Sequence, residues 1–245
     1  DSVETSDGWT NIPPIYPGID LGYSFSEKFK LYSNFGYTFR IPTYTDLFYN
    51  SPTTEGNEFL AYEKALTSEL GIKYEKENFN LTFSAYNRAA SDVIDYVKNE
   101  ESEPWQANNI RDINTLGFEL NMGYKFYLGS FNTHQINIGF SNINDDLKET
   151  EFNFSRYALN SLKNQITSTY SFELFNKISS TIAFKNSERL NEEKYTVIDF
   201  KTSYKYEKFT LSIILNNILD TEYTETNLVP MPGFNSLIGI KYSIN

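Results

Sequence analysis

The chain has 245 residues, no cysteine, one histidine and a net charge of −11 from 21 basic and 32 acidic side chains. These figures exclude a disulfide scaffold and a thiolate metal site, and they argue against general binding to nucleic acid. Aromatic residues make up 17% of the chain, yet mean hydropathy is only −0.48, which excludes helical membrane spans needing apolar runs of about 18 residues or more. The start, Asp1-Ser2-Val3-Glu4, has neither an initiator Met nor a signal-peptide pattern and reads as a processed chain or an internal piece.

In chain order, strict alternation of apolar and polar residues predicts strands at 19–25, 29–39, 66–75, 78–88, 112–126, 131–142, 161–174, 178–187, 195–206, 208–217 and 234–244. Within 114–126, Leu116, Phe118, Leu120, Met122, Tyr124 and Phe126 take one face, and Thr115, Gly117, Glu119, Asn121, Gly123 and Lys125 take the other. The connections alternate between short (26–28, 75–78, 127–130, 175–177 and Glu207) and long (40–65, 89–111, 143–160, 188–194 and 218–233). An antiparallel meander then carries all tight turns at one end and all long loops at the other. No linker breaks the pattern, so 1–245 is read as one unit. Trp9 to Tyr16 holds two prolines and makes a poor twelfth strand.

The polar face includes Glu69, Lys73, Glu119, Lys125, Asp199 and Lys201, which a packed core would not tolerate and a wet lumen would. Aromatics flank every tight turn: Tyr23, Phe25 and Phe29; Tyr74 and Phe79; Tyr124, Phe126, Tyr127 and Phe131; Phe172 and Phe175; Tyr204, Tyr206 and Phe209. Rings at one level of each strand form an interfacial girdle, so the predicted fold is all-β, an antiparallel transmembrane β-barrel. Eleven strands is an odd number, and an unclosed sheet would strand two edges in hydrocarbon. Strands 19–25 and 234–244 therefore need partners outside this chain, unless one strand has been missed.

No catalytic set emerges. His134 falls on the outward face near a tight turn, no Gly-rich phosphate loop or His-containing metal pattern exists, and the chain is read as non-enzymatic with no metal or cofactor. The long loops are acidic, and a solvated outer surface is favoured over Ca²⁺ binding. Loop aromatics Tyr44, Phe48, Tyr49, Trp105 and Tyr157 are candidates for ligand contact, the alternative being that they pack the loops together over the mouth.

Two stretches carry a resemblance. The first runs Gly36-Tyr37-Thr38-Phe39-Arg40-Ile41-Pro42-Thr43 through Gly56-Asn57-Glu58-Phe59-Leu60 and Glu63 to Ser68-Glu69-Leu70-Gly71. The second is Asn216-Asn217-Ile218-Leu219-Asp220-Thr221-Glu222-Tyr223, followed by Pro230-Met231-Pro232-Gly233. Both resemble the barrel of TonB-dependent outer-membrane receptors. Glu58 and Ala61 replace two family prolines, and the chain ends in Asn245 rather than an aromatic residue. Ser91-Asp92-Val93-Ile94-Asp95-Tyr96 is similar to vitamin B12 (cobalamin) receptors, and Trp105-Gln106-Ala107-Asn108-Asn109 with Gly117-Phe118-Glu119 to their relatives in Bacteroidetes.

The resemblance implies a plugged barrel of about 22 strands, of which this chain would be the C-terminal half. The plug and the N-terminal barrel strands would lie elsewhere, with Arg40 and Glu69 facing the lumen toward the plug. It further implies the outer membrane, uptake of a scarce nutrient (a corrinoid foremost, a siderophore or haem as the alternative), TonB as partner through the missing N-terminal segment, and a surface lipoprotein as a plausible second partner. A passive porin and a soluble β-rich binding protein are the competing classes.

Overall fold

The computed structural model describes residues 16–110, 112–129, 132–147, 152–156, 161–190, 193–225 and 229–244. Its elements are β1 (Gly18–Ser24), β2 (Phe29–Arg40), α1 (Tyr44–Phe48), β3 (Asn50–Ser51), β4 (Thr54–Glu55), β5 (Glu63–Lys76), β6 (Phe79–Ser91), β7 (Ile94–Lys98), β8 (Trp105–Asn109), β9 (Ile113–Tyr127), β10 (Asn132–Leu147), β11 (Phe154–Ser155), β12 (Leu162–Leu174), β13 (Ile178–Arg189), β14 (Tyr195–Tyr206), β15 (Phe209–Asn216) and β16 (Asn235–Tyr242). Eleven of these form one antiparallel meander in the order β1-β2-β5-β6-β9-β10-β12-β13-β14-β15-β16. They are the eleven strands the alternation predicts. β1 and β16 end the sheet, so each leaves one edge unpaired among the described residues. Most of the proline-bearing stretch considered as a twelfth strand lies outside the described residues.

Register explains the two faces. Leu31, Ile72, Phe83, Leu120, Phe140 and Ile166 stand directly opposite one another from β2 to β12, a continuous apolar row. One residue out of phase, Tyr32, Gly71, Ser84, Glu119, Ser141, Gln165 and Ser187 make an equally continuous polar row. A slip of one residue would exchange the two faces, so burial of the apolar one holds the register. Across the polar face, the Tyr32 ring lies over Gly71 and the Tyr86 ring over Gly117, each glycine leaving room that a Cβ would fill.

The wall has no core of its own. Leu21, Phe83, Phe140, Ile166, Leu211, Ile213, Ile238 and Ile240 are all exposed, and the apolar cluster of buried residues lies elsewhere. Contiguous apolar surface on this scale is not left in water. Stray polar groups on that face are paired with each other: the hydroxyls of Ser180 and Thr202 lie 2.8 Å apart. At the turn end, Phe29 packs on Tyr74, Tyr74 on Phe79, and Phe209 on Tyr242, forming the girdle. His134 belongs to it, stacked at 5.0 Å on Phe126 and hydrogen-bonded at 2.8 Å through Nδ1 to the Tyr170 hydroxyl.

The structure departs from the alternation at the long-loop end. β5 starts at Glu63 rather than 66, β6 runs to Ser91 rather than 88, and β10 to Leu147 rather than 142. There the ladder continues beyond the apolar band, so period-two contrast fades while backbone pairing persists. The connections expected as loops at 40–65 and 89–111, together with 154–155, build a second sheet, ordered β11-β7-β8-β4-β3.

Candidate functional site

The second sheet and α1 form a cap at the long-loop end, and one arginine joins it to the wall. Pro42 and Thr43 stop β2, and Thr43 caps α1: its hydroxyl accepts from the Asp46 amide at 3.1 Å, while the Asp46 carboxylate accepts from the Thr43 amide at 2.9 Å. Arg40, the last residue of β2, donates to both Glu63 oxygens at 2.8 Å and to Asp46 Oδ2 at 3.1 Å. Glu63 Oε1 also accepts from the Ile94 amide at 2.7 Å, and Asp46 Oδ1 from the Tyr96 hydroxyl at 3.1 Å. A single guanidinium thereby ties the wall strands to α1 and β7.

Below this network Leu60, Ile94, Tyr96 and Ala107 are buried together, with Leu47 and Trp105 packed against them. Asn109 closes the base, giving to the Ala61 and Asp92 carbonyls at 3.1 and 2.6 Å and accepting from the Ala61 amide at 2.7 Å. Burial alone would raise the Asp46 carboxyl. The amide and hydroxyl of Thr43, the Tyr96 hydroxyl and the Arg40 charge outweigh it and hold the group below its ordinary value of 3.8. A carboxylate depressed on folding stabilises the fold fully above its unfolded value and ceases to do so as pH falls through the depressed one. The cap is therefore expected to keep its near-ultraviolet circular dichroism from pH 7 to pH 5 and to lose it progressively only once pH falls below 3.8.

The predicted contact residues separate into two places. Tyr44 and Phe48 meet on the outer side of α1, ring centroids 5.2 Å apart, and are 78% and 53% exposed, with Tyr49 beside them at the helix end. Trp105 lies instead on β8, half-buried against the cap core. Tyr157 falls outside the described residues. Arg40 finds two carboxylates within this chain, and Glu69 sits on the polar face, accepting from the Tyr32 hydroxyl at 3.2 Å, near Asp20, Asn34 and Lys73.

A second cluster went unnoticed in the sequence, although its motif did not. Asn217, buried and left-handed at φ 48°, donates to the Thr221 and Pro232 carbonyls, and its amide binds Asp199 at 2.8 Å. Asp220 Oδ1 accepts from the Phe234 amide at 2.7 Å. The loop is thereby folded onto β14, where Tyr223 stacks on Tyr195 at 4.6 Å and Lys185 binds Glu225. Lys185 holds the Glu225 carboxyl below the usual range. An open cavity of about 950 Å³ lies between this loop and the β13–β14 turn, lined by Glu193, Lys194, Tyr195, Thr221 and Tyr223. Some acidic loop residues are engaged within the chain: Glu103 accepts from the Asn99 and Glu100 amides, which lowers its carboxyl.

A two-faced antiparallel wall, girdled at its turn end and capped at its loop end, is the wall of a transmembrane β-barrel with a folded cap on its long-loop side. A family model described as TonB dependent receptor-like, beta-barrel matches residues 2–218, and the chain belongs to that family. It is 26% identical over 215 residues to the Vitamin B12 transporter BtuB of Vibrio vulnificus (strain YJ016), covering 84% of this chain and 32% of that protein. Among solved structures, the copper transporter OprC superposes with a TM-score of 0.71 at 17% identity, covering 93% of this chain and 39% of that one. The FrpB iron transporter from Neisseria meningitidis (F5-1 variant) gives 0.67 at 17% identity, covering 93% and 39%. The siderophore receptor PirA from Acinetobacter baumannii gives 0.66 at 14%, covering 94% and 41%. The chain thus spans about a third of the curated relative's length and two-fifths of these solved chains. The wall is one of an outer-membrane barrel, in a family of receptors and transporters rather than enzymes.

Proposed function

We propose that this chain is the C-terminal part of the barrel of an energy-coupled receptor that imports a scarce small molecule, a corrinoid such as cobalamin. The observation that carries the reading is the 26% identity to a vitamin B12 transporter over 84% of the chain. In this reading the remaining barrel strands pair with β1 and β16, and a plug fills the lumen opposite Glu69. TonB acts through a segment beyond this chain. Tyr44, Phe48 and Tyr49 supply apolar contact at the mouth, with Trp105 and Tyr157 as further ligand contacts, and a surface lipoprotein is a compatible partner at the same face. The bacterial group is not part of the proposal, since the curated relative comes from Vibrio.

Equilibrium binding of cobalamin to the full-length receptor in detergent tests it, with a ferric siderophore, haem and a copper salt run alongside. Nanomolar-range binding of cobalamin alone is expected. Preference for any of the other three overturns the cargo, and ion conductance in planar bilayers without TonB-coupled uptake overturns the receptor class in favour of a porin.

A further inference from the structure

On the cap, a column of cations and rings runs through residues that the wall-to-cap network does not use. The Arg156 guanidinium lies 5.3 Å from the Tyr96 ring centroid and 4.9 Å from that of Trp105. Lys98 Nζ lies 4.9 Å from the same indole and 5.7 Å from the Phe154 ring. β11 is fixed there by its pairing to β7 and by the bond from the Arg156 amide to the Tyr96 carbonyl at 3.1 Å. A guanidinium lying over ring faces still carries five N–H donors. Among the described residues, none accepts a hydrogen bond from those donors and none pairs with Arg156 as an ion. Lys98 gives one bond, to the Glu101 carbonyl at 2.6 Å, which leaves two of its three donors. The carboxylate of Glu103, which feels Lys98, is already taken by two backbone amides.

Two positive charges thus share one indole, and no described carboxylate is ion-paired to either, in a chain with eleven more acidic than basic residues. Cation–π attraction of about 0.5–1 kcal/mol per pair at exposed sites explains why each cation rests on a ring, but not why two like charges are gathered there unpaired. We infer that Arg156 and Lys98 form an oxyanion site on the cap, for a phosphate group gripped bidentately by Arg156 and backed by Lys98. The site is independent of the cargo read from the curated relative. Its phosphate comes either from a soluble phosphate-bearing solute or from the phosphorylated headgroup of a surrounding outer-leaflet glycolipid.

Calorimetric titration of the full-length receptor with inorganic phosphate and pyrophosphate tests it at low ionic strength. Saturable binding is expected, weakened at least about tenfold by Arg156→Gln, the scale of a lost bond to a charged group. Arg156→Lys, which keeps the charge and loses the fork, is expected to fall between, and Lys163→Gln on β12 to change nothing. Equal affinity in wild-type and Arg156→Gln receptor, or no binding at millimolar pyrophosphate, overturns the site. Vesicles carrying phosphorylated or dephosphorylated lipid A separate the sources: Arg156-dependent retention on the first alone assigns the headgroup, and equal retention on both, with pyrophosphate still bound, assigns the solute. Cobalamin binding that survives Arg156→Gln leaves the cargo reading intact while this site is judged by phosphate alone.

Discussion

Replacement of Arg40 by alanine is expected to free the cap while leaving the eleven-stranded wall paired. The guanidinium is the shared partner of Glu63 and Asp46, whose side chains are only 12% and 10% exposed. Truncating one member of a hydrogen-bonded charge group at such a site costs about 2–5 kcal/mol, much of it from carboxylates left buried and unpaired. Arg40 itself is 43% exposed, so solvent compensates in part and the lower end, about 2 kcal/mol, applies. Because Glu63 also holds the Ile94 amide, the loss reaches β7. Hydrogen exchange across 93–98 should accelerate about thirtyfold in the full-length receptor, with no change across β12 and β13. Unaltered exchange at 93–98 would show that the cap core, not the arginine, holds the cap in place.

Gly56→Ala attacks the same cap from the other side. A Cβ at this position would sit 2.8 Å from the Leu47 carbonyl carbon and 2.9 Å from the carbonyl oxygens of Asp46 and Leu47. These are backbone atoms at the C-terminal end of α1, and they cannot rotate aside as the Tyr86 ring over Gly117 could. Gly56 also donates to the Tyr49 carbonyl and Asn57 to that of Asp46, so the approach is held from both ends. Overpacking against fixed backbone costs about 1–3 kcal/mol and displaces the helix. Limited proteolysis of the intact receptor should then cut near 44–60 at least several times faster than in wild type. Wild-type resistance would mean that the loop shifts bodily without strain.

These two positions also show where sequence reading ends. Gly56 and Asn57 were legible as a motif, but not as the place where a loop must touch a helix backbone. The wall was legible because a bilayer and a lumen impose period-two contrast on every strand; Leu116 to Lys125 states it outright. His134 could be placed on the girdle face by counting back from Phe140, Ile138 and Ile136, whereas its bond to Tyr170 depends on a register only the paired strands define. The cap sheet was not legible. β3, β4 and β11 have two residues each, too few for any period. β7 is buried on both faces from Ile94 to Val97, so nothing alternates. Its neighbour β8 pairs in parallel with β4, some fifty residues earlier, a contact that local pattern cannot reveal. The ring patch of Tyr44 and Phe48 was found because exposed aromatics stand out in a polar loop. Arg156 carried no such signal, because its meaning lies in the rings of Tyr96 and Trp105, far away in sequence.

The wall has one face in lipid and the other in water, and spin labels along β15 test this directly. Because the chain has no cysteine of its own, single cysteines can be introduced at each position from Phe209 to Asn216. In the full-length receptor reconstituted in liposomes, labels at 209, 211, 213 and 215 are expected to collide with dissolved oxygen, which concentrates in the bilayer. Labels at 210, 212, 214 and 216 should respond to a water-soluble nickel complex instead. Aqueous accessibility at every position, or accessibility without a period of two, would contradict a membrane-spanning wall.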